Sequence, residues 1–282
     1  MHVTKVHGCG NDFVVIADLD GAIDVGPGLV RGLCDRHRGI GGDGVIRLAP
    51  PRDDGSDVFM DYRNADGGVV EMCGNGVRCV ATYVLNRGLL SGDVVRVGSR
   101  AGVKHVVVTG RDDDGRVVET LVDMGAPVAI GHVMLRVPRP DGADVATVRA
   151  TTVSMGNPHA VVRVEDVAAA PVATLGPRVE VHDRFPKRTN VGFVQVVERD
   201  HVRLRVWERG VGETAACGSG ACAAGAALER LGLTDRAMAV DVPGGRLEVA
   251  LRDDGHVLLT GPAVEIVTGT LDEAWLRAAT AR

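Results

Sequence analysis

Apolar and polar residues alternate in short runs over most of the chain. Residues 11–17, 44–48, 58–63, 94–97, 103–108, 117–122, 191–197, 202–207 and 246–251 each keep a period of two, which predicts strands with one face turned to a core. Strands this short, separated by tight turns, predict sheets that are mainly antiparallel. Three stretches break the alternation. Residues 27–37 open with a proline suited to a first helical turn, and two further helices are predicted from just after Cys73 through Asn86 and from just after Cys217 through Leu231. Gly88 and Gly232 follow these two as C-terminal stops. Residues 112–115 and 253–255, rich in Asp and ending in Gly, predict solvated hairpin loops. Residues 126–147, with Pro127, Pro138 and Pro140, predict a crossing between two halves.

The same marks occur twice in the same order. Gly10-Asn11-Asp12-Phe13 is echoed by Gly156-Asn157-Pro158-His159 at an offset of 146, and Cys73-Gly74-Asn75-Gly76 by Cys217-Gly218-Ser219-Gly220 at an offset of 144. Between them, the alternating run ending at Asn64 matches the one ending at Glu208, again 144 positions on. Near-constant spacing of three marks predicts two homologous halves.

Composition narrows the class. A net charge of −5 over 282 residues excludes the basic footprint of a nucleic-acid binder, so no nucleic acid is expected as a partner. Glycine, at 38 residues, is about twice its usual share of ~7%, and aromatics are only 3%, so many tight turns and aliphatic cores are expected. No apolar run reaches ~18 residues and the start, MHVTKVHGCGNDF, has no signal-peptide pattern, so an intracellular protein with no membrane association is expected. Its six cysteines are then expected as reduced thiols.

Two of those thiols stand apart. In each half a strand leads through Cys-Gly-(Asn/Ser)-Gly into a helix, whose first-turn N–H groups form a site for an anion and can lower a cysteine pKa toward neutrality. If Cys73 and Cys217 approached one carbon acid from opposite sides, a thiolate could remove a proton while a thiol returned one, inverting the centre. Cys9, Cys34, Cys79 and Cys222 are expected to pack. No metal is expected, since neither half offers C-x₂-C or a His at ligand spacing, and C-x-x-C redox spacing is absent too. Residues 39–44 are glycine-rich but lack Lys-Ser/Thr and precede a strand, so a turn is expected there rather than a phosphate loop.

Nearly end to end, these segments resemble the diaminopimelate epimerase family. The resemblance is carried by His7-Gly8-Cys9-Gly10-Asn11-Asp12-Phe13, Asn64-Ala65-Asp66-Gly67, Met72-Cys73-Gly74-Asn75-Gly76-Val77-Arg78-Cys79 and Ser154-Met155-Gly156-Asn157-Pro158-His159. It continues through Arg188-Thr189-Asn190-Val191-Gly192-Phe193 and from Trp207-Glu208-Arg209-Gly210 to Ala216-Cys217-Gly218-Ser219-Gly220. It implies an α+β fold of two similar domains, each a curved, mostly antiparallel sheet forming a pseudo-barrel around a central helix, with the active site in the interdomain cleft. The halves are then expected as 1–118, joined by a returning tail 263–282, and 119–262. The resemblance implies catalytic Cys73 and Cys217, tuned by His159 and Glu208. It implies substrate contacts from Asn11, Asn64, Gly74, Asn75, Asn157, Asn190, Glu208, Arg209, Gly218 and Ser219, with diaminopimelate as the small-molecule substrate. It further implies no cofactor, a homodimer, and a cytoplasmic role in lysine and peptidoglycan precursor synthesis. Gly44 departs from members that carry Gln there, and Arg100 stands where a small or polar residue is expected. A proline or hydroxyproline racemase of the same fold, and an idle thiol or anion-binding protein, are the competing readings.

Overall fold

The computed structural model describes residues 1–138 and 145–280. The chain divides into two compact units, residues 1–122 with 260–282, and residues 123–259, where the sequence places the boundaries at 118/119 and 262/263.

In the first unit the elements run β1 (His2–Gly8), β2 (Asn11–Ala17), α1 (Pro27–Cys34), β3 (Gly44–Ala49), β4 (Val58–Asn64), α2 (Gly74–Asn86), β5 (Val94–Ser99), β6 (Gly102–Arg111) and β7 (Val117–Asp123). Pairing is antiparallel for β1–β2, β3–β4, β5–β6 and β6–β7, and parallel for β2–β3 and β4–β5. From Gly74 through Thr82 every residue of α2 is buried, so this helix is wrapped on all sides rather than laid on a surface. Asn86 closes it by bonding both backbone groups of Val117.

The second unit repeats this order with β8 (Ile130–Pro138), β9 (Val145–Ser154), β10 (Pro158–Arg163), α3 (Val172–Glu180), β11 (Asn190–Glu198), β12 (His201–Glu208), β13 (Gly212–Thr214), α4 (Gly218–Arg230), β14 (Ala237–Val242) and β15 (Gly245–Leu251), and β16 (Val257–Pro262) spans the boundary at residue 259. Its β10–β11 and β12–β14 pairs are parallel, while β8–β9, β9–β10, β11–β12 and β14–β15 are antiparallel. Register carries the duplication to single residues: Phe13 pairs with Gly44 in β2–β3, and His159 with Asn190 in β10–β11, each 146 positions on. The buried α4 is built from small residues. At Gly225 an added Cβ would lie 2.8 Å from Val249 Cγ1, so glycine there lets the sheet close on the helix.

The chain then returns to the first unit as β17 (Val264–Thr270), antiparallel to β1, and α5 (Glu273–Thr280). Leu271 and Ala279, with Trp275, pack against Val14, Ile16, Leu29, Val30 and Leu33 in a second layer outside the sheet. Burying each of the Val, Leu and Ile side chains among them stabilises by about 1.5–3 kcal/mol.

Three expectations need correction. Helix α1 stops at Cys34 rather than residue 37, because the Asp35 carboxylate accepts from the N–H groups of His37 and Arg38 and turns the chain. Gly39 then crosses the helix end, where a Cβ would lie 2.0 Å from the Gly32 carbonyl oxygen, so the glycine-rich segment makes a close backbone approach. Residues 126–147 are no crossing: outside 139–144, which include Pro140 and lie beyond the described residues, they form the β8–β9 hairpin of the second unit. Third, Arg100 has a plain role, donating at 2.7 Å to Asp61, a buried carboxylate also held by Arg47 at 3.1 Å.

Candidate active site

Cys73 is the N-cap of α2, with extended backbone, and its sulfur accepts the Gly76 N–H at 3.4 Å. Beside it, a two-residue turn with positive φ at Cys9 (51°) and Gly10 (78°) sets Asn11 at the start of β2. The carboxylate of Asp43 can only accept, so Asn11 presents Nδ2 to it at 2.7 Å. Asn11 Oδ1 then faces Asn75 Nδ2 at 3.0 Å and the Cys73 thiol at 4.0 Å. Arg78 can only donate; it holds Asn75 Oδ1 at 2.6 Å and the Pro262 carbonyl at 3.3 Å. Charges outside this chain of amides keep it aligned. Arg36 bridges Asp12 and Asp43 at 2.8 and 2.9 Å, and Lys5 pairs with Asp12 at 2.6 Å. Burial would raise the Asp12 pKa, but hydrogen bonds and charge from Arg36 and Lys5 hold it well below the usual carboxylate range.

Cys217 takes the same place on α4, yet its surroundings differ. It is 4% exposed, and its pKa lies well above the ordinary thiol value. Burial is the main cause and the Glu208 carboxylate the next, against opposing help from the Ser219 hydroxyl and the Gly220 N–H. The expected lowering by the helix end is therefore overturned at this thiol: desolvation outweighs the helix N–H groups. Glu208 ends β12 and accepts from Thr214 Oγ1 at 2.6 Å. Asn157 donates to Ser219 Oγ at 3.3 Å and meets His159 Nε2 at 3.0 Å through Oδ1. Burial, then the charge of Arg209, drives the His159 pKa down to about 3, so the ring is neutral at pH 7. Asn190 donates to the Pro158 carbonyl at 3.0 Å and accepts the Arg209 N–H at 2.9 Å.

The first unit thus gathers Asn11, Cys73, Gly74 and Asn75, with Asn64 at the end of β4. The second gathers Asn157, His159, Glu208, Cys217, Gly218 and Ser219, with Asn190 beside Arg209. His159 meets Asn157, while Glu208 is the group that acts on Cys217. Sequence reasoning missed the supporting ions. Besides Asp43, Arg36, Lys5 and Arg78, the buried Glu180 accepts from Trp207 Nε1 at 2.8 Å and the Gly210 N–H at 3.0 Å, shaping the turn that carries Arg209. A charged residue on an otherwise inward-facing position was the available signal.

The sequence profile of the family described as Diaminopimelate epimerase matches residues 3–130 and 151–266. The chain belongs to the diaminopimelate epimerase family. It is 46% identical over 279 residues to the diaminopimelate epimerase of Thioalkalivibrio sulfidiphilus (strain HL-EbGR7), covering 95% of this chain and 98% of that one. Two solved structures share the fold: a probable proline racemase from Agrobacterium radiobacter K84, with TM-score 0.72, 18% identity and 96% and 93% of the two chains covered, and a hydroxyproline epimerase from Agrobacterium vitis, with TM-score 0.72, 18% identity and 99% and 98% covered. No helix among the described residues is long and apolar enough to cross a membrane.

Within this epimerase-family chain the two helix-capping thiols should differ in reactivity. Cys73 is half-buried while Cys217 is buried and held protonated. Iodoacetamide at pH 7.5, followed by peptide mass spectrometry, should label Cys73 on the order of tenfold faster, because the thiolate is the nucleophile. Faster labelling of Cys217 would show that desolvation does not control it.

Proposed function

We propose that the protein interconverts L,L- and meso-diaminopimelate by general acid–base catalysis with Cys73 and Cys217, without a cofactor or metal. The observation that carries this reading is the duplication of one device: a cysteine at the N-cap position of a buried helix, with an asparagine carboxamide that faces Cys73 itself in the first unit and, in the second, bonds Ser219, whose hydroxyl lies 3.7 Å from the Cys217 sulfur. The reading requires both sulfurs to reach opposite faces of one α-carbon.

A thiolate on one face takes the α-proton as the C–H bond breaks, leaving the electron pair on the carbon and its carboxylate. The thiol on the other face then gives its proton to that carbon, so the enzyme ends with thiol and thiolate exchanged. Backbone N–H groups at Gly74, Asn75, Gly218 and Ser219, at two helix N-termini, stabilise the charge gathering on the carboxylate. Cys217, held protonated by burial and Glu208, is the proton donor in the resting enzyme. Asn11, Asn64, Asn157, Asn190, Arg209 and Glu208 supply amide, guanidinium and carboxylate groups for the second amino-acid end of the substrate. The family resemblance supports a cytoplasmic homodimer serving lysine and peptidoglycan precursor synthesis.

The test is a proton NMR time course of reduced protein with L,L-diaminopimelate in deuterated water containing EDTA. Loss of the α-proton signal together with formation of the meso isomer is the expected result. An unchanged spectrum from folded protein, with exchange of proline instead, would move the substrate to the racemases of the same fold.

A further inference from the structure

Strands β4 and β12 each end in a polar residue just before the turn that leads to a cysteine, Asn64 in the first unit and Glu208 in the second. Each of these side chains accepts a hydroxyl hydrogen, but from different sources. Glu208 takes it from Thr214 Oγ1 at 2.6 Å, whereas Asn64 Oδ1 takes it from the Tyr62 phenol at 2.9 Å. Tyr62 reaches Asn64 because of what faces it. Gly44 pairs directly with Asn64 across β3–β4, and a Cβ at Gly44 would lie 2.5 Å from Tyr62 Cε2 and 2.5 Å from the Arg63 carbonyl oxygen. At the matching register position of the second unit stands Asn190, a full side chain, and the counterpart of Tyr62 is Val206. The Gly44–Tyr62 pair in one unit therefore replaces the Asn190–Val206 pair in the other. The Tyr62 ring is buried, 6% exposed, and fixed edge-on to Phe13 at 5.6 Å.

We infer that Tyr62 is a positioning residue for substrate: its hydroxyl, admitted by the glycine at position 44, locks Asn64 with Nδ2 turned outward as a hydrogen-bond donor to a carboxylate of the bound diamino diacid. The phenol donates to Asn64 Oδ1; a flipped amide would have to donate to the phenol oxygen instead, leaving the hydroxyl hydrogen without this acceptor and turning Oδ1 rather than Nδ2 outward. Asn64 Nδ2 makes no hydrogen bond to protein among the described residues, which leaves both its hydrogens for the ligand. Glu208, at the matching place of the second unit, offers only acceptors, so the two strand ends differ in polarity. This inference rests on the proposed function, in which Asn64 touches substrate.

Steady-state epimerisation of diaminopimelate by wild type, Tyr62→Phe, Asn64→Ala and the double variant tests it, with thermal midpoints measured alongside. Tyr62→Phe keeps the ring and should fold like wild type. It should raise KM about five- to tenfold with kcat within about twofold, the size expected when a neutral hydrogen bond that orients a ligand-binding amide is lost. In the Asn64→Ala background the same change should have no further effect on KM. A wild-type KM for Tyr62→Phe, or the same rise in both backgrounds, would overturn the inference while leaving the epimerase reading in place. Wild-type protein without any α-proton exchange would overturn both.

Discussion

Alanine at Cys73 or Cys217 is expected to lower kcat for epimerisation by about 10²- to 10⁴-fold, the usual contribution of a positioned acid or base, with the thermal midpoint moved by only a few degrees. Neither side chain fills much volume. The two variants should nonetheless fail differently. Without Cys217 the thiol that the fold keeps protonated is gone, so a carbanion formed by Cys73 can be reprotonated only from the face it came from. Solvent deuterium should then enter one diastereomer with its configuration kept. Without Cys73 the remaining thiol is buried beside a carboxylate, and proton removal itself should be the lost step. Equal inversion and exchange rates in either variant, measured by NMR in deuterated water, would remove that cysteine from the reaction.

Arg78→Ala should be the most damaging single change away from the thiols. Its side chain is fully buried and ties Asn75 Oδ1 to the Pro262 carbonyl, so truncation leaves both a cavity and two orphaned acceptors. A loss of about 3–5 kcal/mol follows from comparable large-to-small core changes, and at ~2–4 °C per kcal/mol the midpoint should fall by roughly 10 °C. Arg78→Met separates packing from orientation. It refills the cavity and should recover much of the stability, yet Asn75 is no longer forced to turn Nδ2 toward Asn11, so kcat should stay at least about tenfold down. Wild-type kcat in a stable Met variant would reduce Arg78 to a filler of space.

Much of this was legible because the duplication is written at constant spacing. Offsets of 146 and 144 brought Asn11 onto Asn157 and Cys73 onto Cys217, and the strand registers carry the first of these offsets unchanged. What stayed hidden depends on neighbours far away in sequence. Nothing local to Cys217 reveals that burial outweighs the helix end, and nothing near Asn11 announces Asp43 and Arg36. The β8 strand was legible in principle, since Leu135 and Val137 face inward between exposed Met134 and Arg136, but the prolines around it masked the alternation. Arg100 needed a partner 39 positions away before its place made sense.

The first unit is sewn shut by residues that follow the whole of the second. On the ribosome, residues 123–259 emerge as one uninterrupted segment, whereas β1 waits for β17, and Leu29 and Leu33 wait for Leu271 and Ala279. During synthesis the nascent amino-terminal half must therefore stay open, with an unpaired β1 edge and an uncovered α1 face exposed to other chains. The unit that begins first is the one that can be finished only last.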